Sequence, residues 1–270
     1  MRNTLFLFLI FISIFVLEGY SQKEDVAIRC VYLESYVRDA DKPQENRQDE
    51  FNLDIFGSKS VFYSAYERAV REGRDSLMKM GLSANEIMNR QRDIPRTYQY
   101  FEIYKNILLQ GKYVCYDKIV KQYRYEDRIP IMKWKLVNET KDILGYTCQK
   151  AVTTLYGRQW SAWFTSKVPV SDGPWLLTGL PGLVLEASDM EGIFHFEAIE
   201  IKEIPSNTVS LSEKKAIKCT RNEFLNYRSK YYEDIQSGLQ NITGRKLQIM
   251  GSDGKSAKNK KKNFNFFERQ

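Results

Sequence analysis

The chain has 270 residues, a formal net charge of +7, 13% aromatic and 28% charged residues, which is enough apolar mass for a sizeable core under a polar surface. The last twenty residues hold Lys255, Lys258, Lys260, Lys261, Lys262 and Arg269 against Asp253 and Glu268 alone, so the body is nearly balanced and no nucleic-acid partner is expected. A single histidine, His195, and glycines that stand singly at turns argue against multi-histidine zinc sites and phosphate-cradling loops, and no cofactor, metal or catalytic residue is assigned.

Arg2 precedes the apolar run Leu5–Leu17, interrupted only by Ser13, and the small residues Gly19 and Ser21 follow. That is the layout of a cleavable signal peptide, and the run is shorter than the roughly 17–25 apolar residues a membrane-spanning helix needs. Cleavage after Ser21 is expected. Residues 22–250 then read as one β-rich domain and 251–270 as a basic, disordered tail, in a protein of the periplasm, cell surface or secreted fraction.

Ala27–Tyr36 reads as a strand, Arg38–Asp54 as a charge-dense loop, and Ser60–Met80 as a helix with Phe62, Tyr66, Ala69, Val70 and Leu77 at helical spacings. Ser83 and Glu86 have the spacing of a capping box opening a second, short helix. Short β-branched and aromatic runs follow at 97–104, 112–119, 131–137, 147–156, 160–166, 175–177, 183–187 and 193–204. Strands so spaced, with short turns at 142–145 and 156–158, predict antiparallel pairing. Thr220 and Glu223 form another capping-box spacing, with Phe224, Tyr227, Tyr231 and Ile235 striping the helix behind it. The expected fold is mostly β (α+β): one curved antiparallel sheet or half-barrel with a helix from the N-terminal region and a C-terminal helix. Cys30, Cys115, Cys148 and Cys219 form an even set without a Cys-x-x-Cys pair; in an oxidising compartment they are expected to form structural disulfides in one of three connectivities.

The densest stretch, Gly157–Met190, holds three of the four tryptophans. Within it Leu180-Pro181-Gly182-Leu183 reads as a type II turn with Gly182 at the positive-φ position, and Gly179, Pro181 and Gly182 are its structural residues. Gly179-Leu180-Pro181-Gly182-Leu183, with Trp134, Ile143-Leu144-Gly145-Tyr146, Cys148, Gly157-Arg158, Ala162-Trp163 and Gly173-Pro174 upstream, resembles the GLPGLI family over roughly residues 25–245. The resemblance implies an exported Bacteroidetes protein of the cell envelope, and it supplies no catalytic residues.

The constellation with binding chemistry is Arg158, Trp160, Trp163 and Trp175. Trp160 and Trp163 are an odd number apart, so an unbroken strand turns them to opposite faces. An aromatic exposed beside an arginine suits a peptide, lipid or glycan. The expectation is therefore a non-enzymatic binding or assembly module for such a ligand or for another envelope protein. The alternatives are an envelope hydrolase (peptidase or glycosidase), with Glu186, Asp189 and His195 the residues to test, and a carrier of lipid or hydrophobic peptide.

Overall fold

A computed structural model describes residues 26–211, 214–244 and 264–268; the signal-peptide reading and most of the basic tail lie outside them. The fold is mostly β, as expected. Twelve strands make one open sheet: β1 (Val26–Val37), β2 (Asn46–Phe56), β3 (Lys59–Ser64), β4 (Glu102–Lys105), β5 (Lys112–Lys118), β6 (Gln122–Arg128), β7 (Lys135–Ile143), β8 (Tyr146–Leu155), β9 (Arg158–Thr165), β10 (Leu183–Asp189), β11 (Phe194–Pro205) and β12 (Ile217–Lys218). Their order is β12-β6-β5-β4-β3-β2-β1-β11-β10-β9-β8-β7. Two meanders, β1 to β6 and β7 to β11, thus meet along β1 and β11, with all pairs antiparallel except β12 beside β6.

Among the described residues four α-helices accompany this sheet: α1 (Ala65–Lys79) and α3 (Arg221–Glu233) pack on its strands, while α2 (Ala84–Arg90) and α4 (Ile235–Thr243) pack on α1 and α3. The capping boxes at Ser83–Glu86 and Thr220–Glu223 both form. The striped helix expected through Ile235 breaks at Asp234, which caps α4 instead. Between β7 and β8, Leu144 and Gly145 take φ of 52° and 78°, and between β8 and β9 Tyr156 and Gly157 take 45° and 77°; consecutive left-handed residues give the turn that matches strand twist.

Several sequence expectations are corrected. The supposed loop at 38–54 contains most of β2, because Phe51, Leu53 and Ile55 alternate inward at period two although Asp49, Asn52 and Asp54 make the run look polar. The helix expected from Ser60 starts only at Ala65, since Val61, Phe62 and Tyr63 are held in register against β2. Gln122–Arg128 is a strand outside the expected runs, and 175–177 is not one.

The expected disulfides are also absent: Cys30, Cys115, Cys148 and Cys219 are all free thiols. By register Cys115 lies opposite Tyr125, and Cys219 follows the β12 residue Lys218 that lies opposite Arg124, so β6 stands between the two cysteines. Two strand spacings, about 10 Å, exceed the roughly 7 Å limit between bridged Cα atoms. Cys30 and Cys115 are four strands apart.

One sheet face carries the main core, with Tyr32, Phe51, Phe62, Ile103, Trp160, Leu183, Phe194 and Phe196. A smaller cluster of Val61, Tyr63, Tyr104, Val114 and Tyr116 lies on the other face, with Val209 packed into it. The segment joining β9 to β10, residues 166–182, crosses the main-core face to the other meander. Its Asp172 accepts hydrogen bonds from Ser60 Oγ of β3 at 2.5 Å and from Lys105 Nζ of β4.

Candidate functional site

The main-core face contains an aromatic cradle, and the protein's own segment Phe264–Glu268 lies in it. Phe267 stacks on Phe194 at 4.3 Å, Trp175 at 5.1 Å and Phe196 at 5.8 Å between ring centroids, and meets Phe101 edge-on at 5.6 Å. Trp160 closes the floor at 6.4 Å. Beyond Phe196 the row of sheet partners is Ala187, Ala162 and Ala151, three methyl groups.

Polar contacts fix the segment along its length. Asn265 N donates to Arg38 O and Asn265 Nδ2 to Val37 O, both at 2.8 Å. Arg158 Nε donates to Phe266 O at 3.0 Å, while its Nη1 pairs with Asp189 at 2.7 Å. Arg221 holds the Glu268 carboxylate at 2.6 Å. From α3, Arg228 and Tyr232 cover Phe266. These five residues of the predicted tail are therefore packed, because Phe267 is buried among rings and Glu268 is ion-paired.

Three of the four sequence-predicted ligand residues, Arg158, Trp160 and Trp175, meet in this cradle. Trp163 faces the opposite side of β9, where Lys141 and Lys150 lie 4.5 and 5.4 Å from its ring centroid. Glu186 is on that side too, paired with Lys141 at 2.5 Å. Asp189 points inward and is fully engaged, taking Arg158 and the backbone N–H groups of Ile193 and Phe194. His195 lies on β11 between Ser35 and Ser188, so the three residues considered for hydrolysis do not converge.

Trp175 has φ of 54°, a conformation costing a bulky residue on the order of 1–3 kcal/mol. It is held there from below: Lys105 Nζ donates to the carbonyls of Gly173 and Trp175 at 3.1 Å each and pairs with Asp172. Burial pulls the Lys105 ammonium below its ordinary range, opposed by Asp172. The signature loop behaves differently from its expected turn. Gly179 takes the positive φ, 92°, whereas Gly182 has none. Gly182 N instead bonds Leu180 O at 2.8 Å around Pro181, an inverse γ-turn. Gly182 is required for another reason: a Cβ there would lie 2.6 Å from the Thr165 carbonyl carbon and 2.9 Å from Ser166 N.

A second concavity, a groove of about 860 Å³, runs between α1, α2 and the 94–100 segment and is lined by Arg74, Asn89, Gln91, Arg92, Tyr98 and Tyr100 among others. Thr97 lines it as well and donates its hydroxyl to the buried Asp49. Asp49 also accepts from Ser64 Oγ at 3.0 Å and lies directly across from Glu34 on β1. Glu34 is 0% exposed and neither of its oxygens finds a partner among the described residues. Burial pushes Asp49 up to about 7, and burial together with Asp49 pushes Glu34 well above the carboxylate range.

This pair gives a pH-dependent expectation. In the unfolded chain both carboxyls release their protons near pH 4, whereas the folded protein retains them to higher pH, so stability falls as pH rises from about 4 through about 7. Glu34→Met is expected to stabilise the protein by about 2 kcal/mol at pH 8 by removing an unsatisfied buried group, with a smaller gain at pH 4. Thermal melts of both proteins at the two pH values check the sign and the trend.

Residues 77–229, more than half of the chain, match the family described as N-glycanase peptide, N-terminal domain. The chain belongs to that family. Two solved structures of PNGF-II, from crystals in the P21 and C2 space groups, share this chain's fold at a TM-score of 0.50 and 16% identity. Each alignment covers 74% of this chain and 32% of PNGF-II, so the chain spans about a third of those proteins' length. No curated protein matches. The family match takes in α2, most of the groove lining, the cradle residues Arg158, Trp160 and Trp175, and the first nine residues of α3. No helix among the described residues is long and apolar enough to cross a membrane.

Proposed function

We propose that the protein is an exported cell-envelope recognition module of the N-glycanase N-terminal-domain type, related to GLPGLI proteins, that holds N-glycosylated peptide in the groove between α1, α2 and the 94–100 segment. The observation carrying this reading is the groove's chemistry: the rings of Tyr98 and Tyr100 and the polar heads of Arg74, Asn89 and Arg92 stand among the apolar Val70, Leu82, Ile87 and Met88 around a concave space of about 860 Å³. Membership of a domain family that forms the N-terminal part of larger N-glycanase proteins supports recognition as the task. Isothermal titration with an asparagine-linked glycopeptide is expected to give saturable binding that Tyr98→Ala or Arg92→Ala weakens about tenfold, equivalent to ~1.4 kcal/mol each. Equal affinity for the deglycosylated peptide would overturn the glycan component.

A second reading, hydrolysis in the same groove, is favoured by the two adjacent buried carboxylates behind Thr97. Burial holds Asp49 near 7, so about half of it is protonated at neutral pH, as a general acid or base requires, and Thr97 stands between it and the groove. Release of glycan from the same glycopeptide, lost in Asp49→Asn, would favour this reading over binding alone.

A further inference from the structure

The Phe264–Glu268 segment is seated like a ligand rather than like a strand of the fold. It adds one bridge, Phe264 opposite Asp39, to the end of the sheet, hydrogen-bonds the backbone of Val37 and Arg38 through Asn265, and beyond Asn265 lies against side chains supplied by β9, β11, α3, Phe101 and the 166–182 segment. Each of its residues is met separately. Phe264 lies under Arg38 and edge-on to Tyr232, Asn265 is held by its backbone and its amide, Phe266 by Arg158 and Arg228, Phe267 by the ring stack, and Glu268 by Arg221. The fit is incomplete. The indole N–H of Trp160, 0% exposed on the cradle floor, has no acceptor among the described residues, and a space of about 20 Å³ lined by Tyr113, Cys115 and Arg228 remains beside Phe267 and Glu268. The rigid parts of the cradle are set independently of the segment: Trp175 by Lys105 and Asp172, and Arg158 by Asp189.

We propose that this cradle is a peptide-recognition site whose ligand is an extended strand bearing two adjacent aromatics followed by a carboxylate, and that Phe264–Glu268 fills it in cis. The chemistry dictates that class. Arg158 reads a backbone carbonyl, the ring stack takes one flat apolar side chain, and Arg221 takes a carboxylate one residue later. Phe264–Glu268 belongs to the same chain as the cradle, joined to it through residues 245–263, so a free peptide must outcompete an intramolecular occupant. The site goes beyond the glycopeptide groove and meets it at Arg38, whose guanidinium lies 4.1 Å from the Tyr98 ring centroid and 4.4 Å from that of Phe264.

The test uses the full chain with a specific protease site substituted for residues 254–259. After cutting, the probe is a fluorescent synthetic peptide of residues 263–270. The severed segment is expected to stay bound on gel filtration and to exchange with the labelled peptide, read as a rise in anisotropy. Phe267→Ala in the peptide is expected to weaken binding about a hundredfold and Glu268→Gln about tenfold, as losses of a buried ring and of a charge-assisted pair do. Dimers of the uncut chain that form with concentration and vanish in Phe267→Ala would support the same site filled by a second copy. A severed segment that excess peptide cannot displace, or whose displacement unfolds the body, would overturn the proposal, because the segment would then be core. Glycopeptide binding by the cut protein is measured alongside, so failure here is told apart from failure of the groove.

Discussion

Gly182→Ala is expected to destabilise the protein by more than about 3 kcal/mol, well beyond a usual glycine substitution. The added methyl falls on the backbone of Thr165 and Ser166, and that backbone is the β9 end paired to β10 through Leu183 and Thr165. Relief therefore requires prying two strands apart next to the fully buried Leu183 and Val184. Gly179→Ala is the control. Its methyl would meet nothing nearer than Trp134 Nε1 at 3.6 Å, so it pays only for a left-handed φ, about 1 kcal/mol. Urea midpoints for the two variants decide the matter: equal losses would mean that the loop needs its turn rather than its close approach.

Lys105→Met is expected to cost about 3–5 kcal/mol, the usual result of removing one partner from a buried ion pair. Asp172 would keep Ser60 and its own loop contacts but lose its counter-charge, and the carbonyls of Gly173 and Trp175 would lose their donor. Adding Asp172→Asn to Lys105→Met should recover a kilocalorie or two, since no buried charge is then left alone. The same variant reports on the cradle. With nothing holding the strained Trp175 backbone, the ring leaves its stack against Trp160 and Phe267, and tryptophan emission shifts to the red before global unfolding. Unchanged emission up to the melting transition would show that Lys105 supports the fold without positioning Trp175.

Local chemistry made part of this molecule readable from its residues. Ser83 with Glu86 and Thr220 with Glu223 announce helix starts because cap and helix lie within one turn. The short turns at Leu144-Gly145 and Tyr156-Gly157 likewise need no distant partner. β2 escaped notice because Asp49 and Asp54 are buried charges whose partners, Ser64, Thr97 and Arg29, come from elsewhere in the chain. Gly182 was identified as structural, but its reason lies in Thr165, across a strand pair and not within a turn.

The site divides in the same way. Arg158, Trp160 and Trp175 stand close together in sequence and were recognisable as a cluster of binding chemistry. Phe264–Glu268 sits about a hundred residues away beyond a lysine-rich stretch, and nothing local ties Phe267 to Phe194. The Glu34–Asp49 pair carried no signal at all, because burial of a carboxylate is a property of the assembled sheet.

Nine of the eleven strand adjacencies join neighbours in the chain, and the two halves are sewn together by β1 against β11, from Val26 opposite Pro205 to Tyr36 opposite Phe194. A polypeptide emerging N-terminus first exposes β1 long before its second partner exists: at roughly 5–20 residues per second the wait is about ten to thirty seconds. Throughout it β1 presents one bare hydrogen-bonding edge, with Tyr32 and Tyr36 still uncovered, which is the condition under which strands pair with the wrong chain. The late, long-range seam thus makes the first half of the molecule dependent on whatever shields that edge while synthesis finishes.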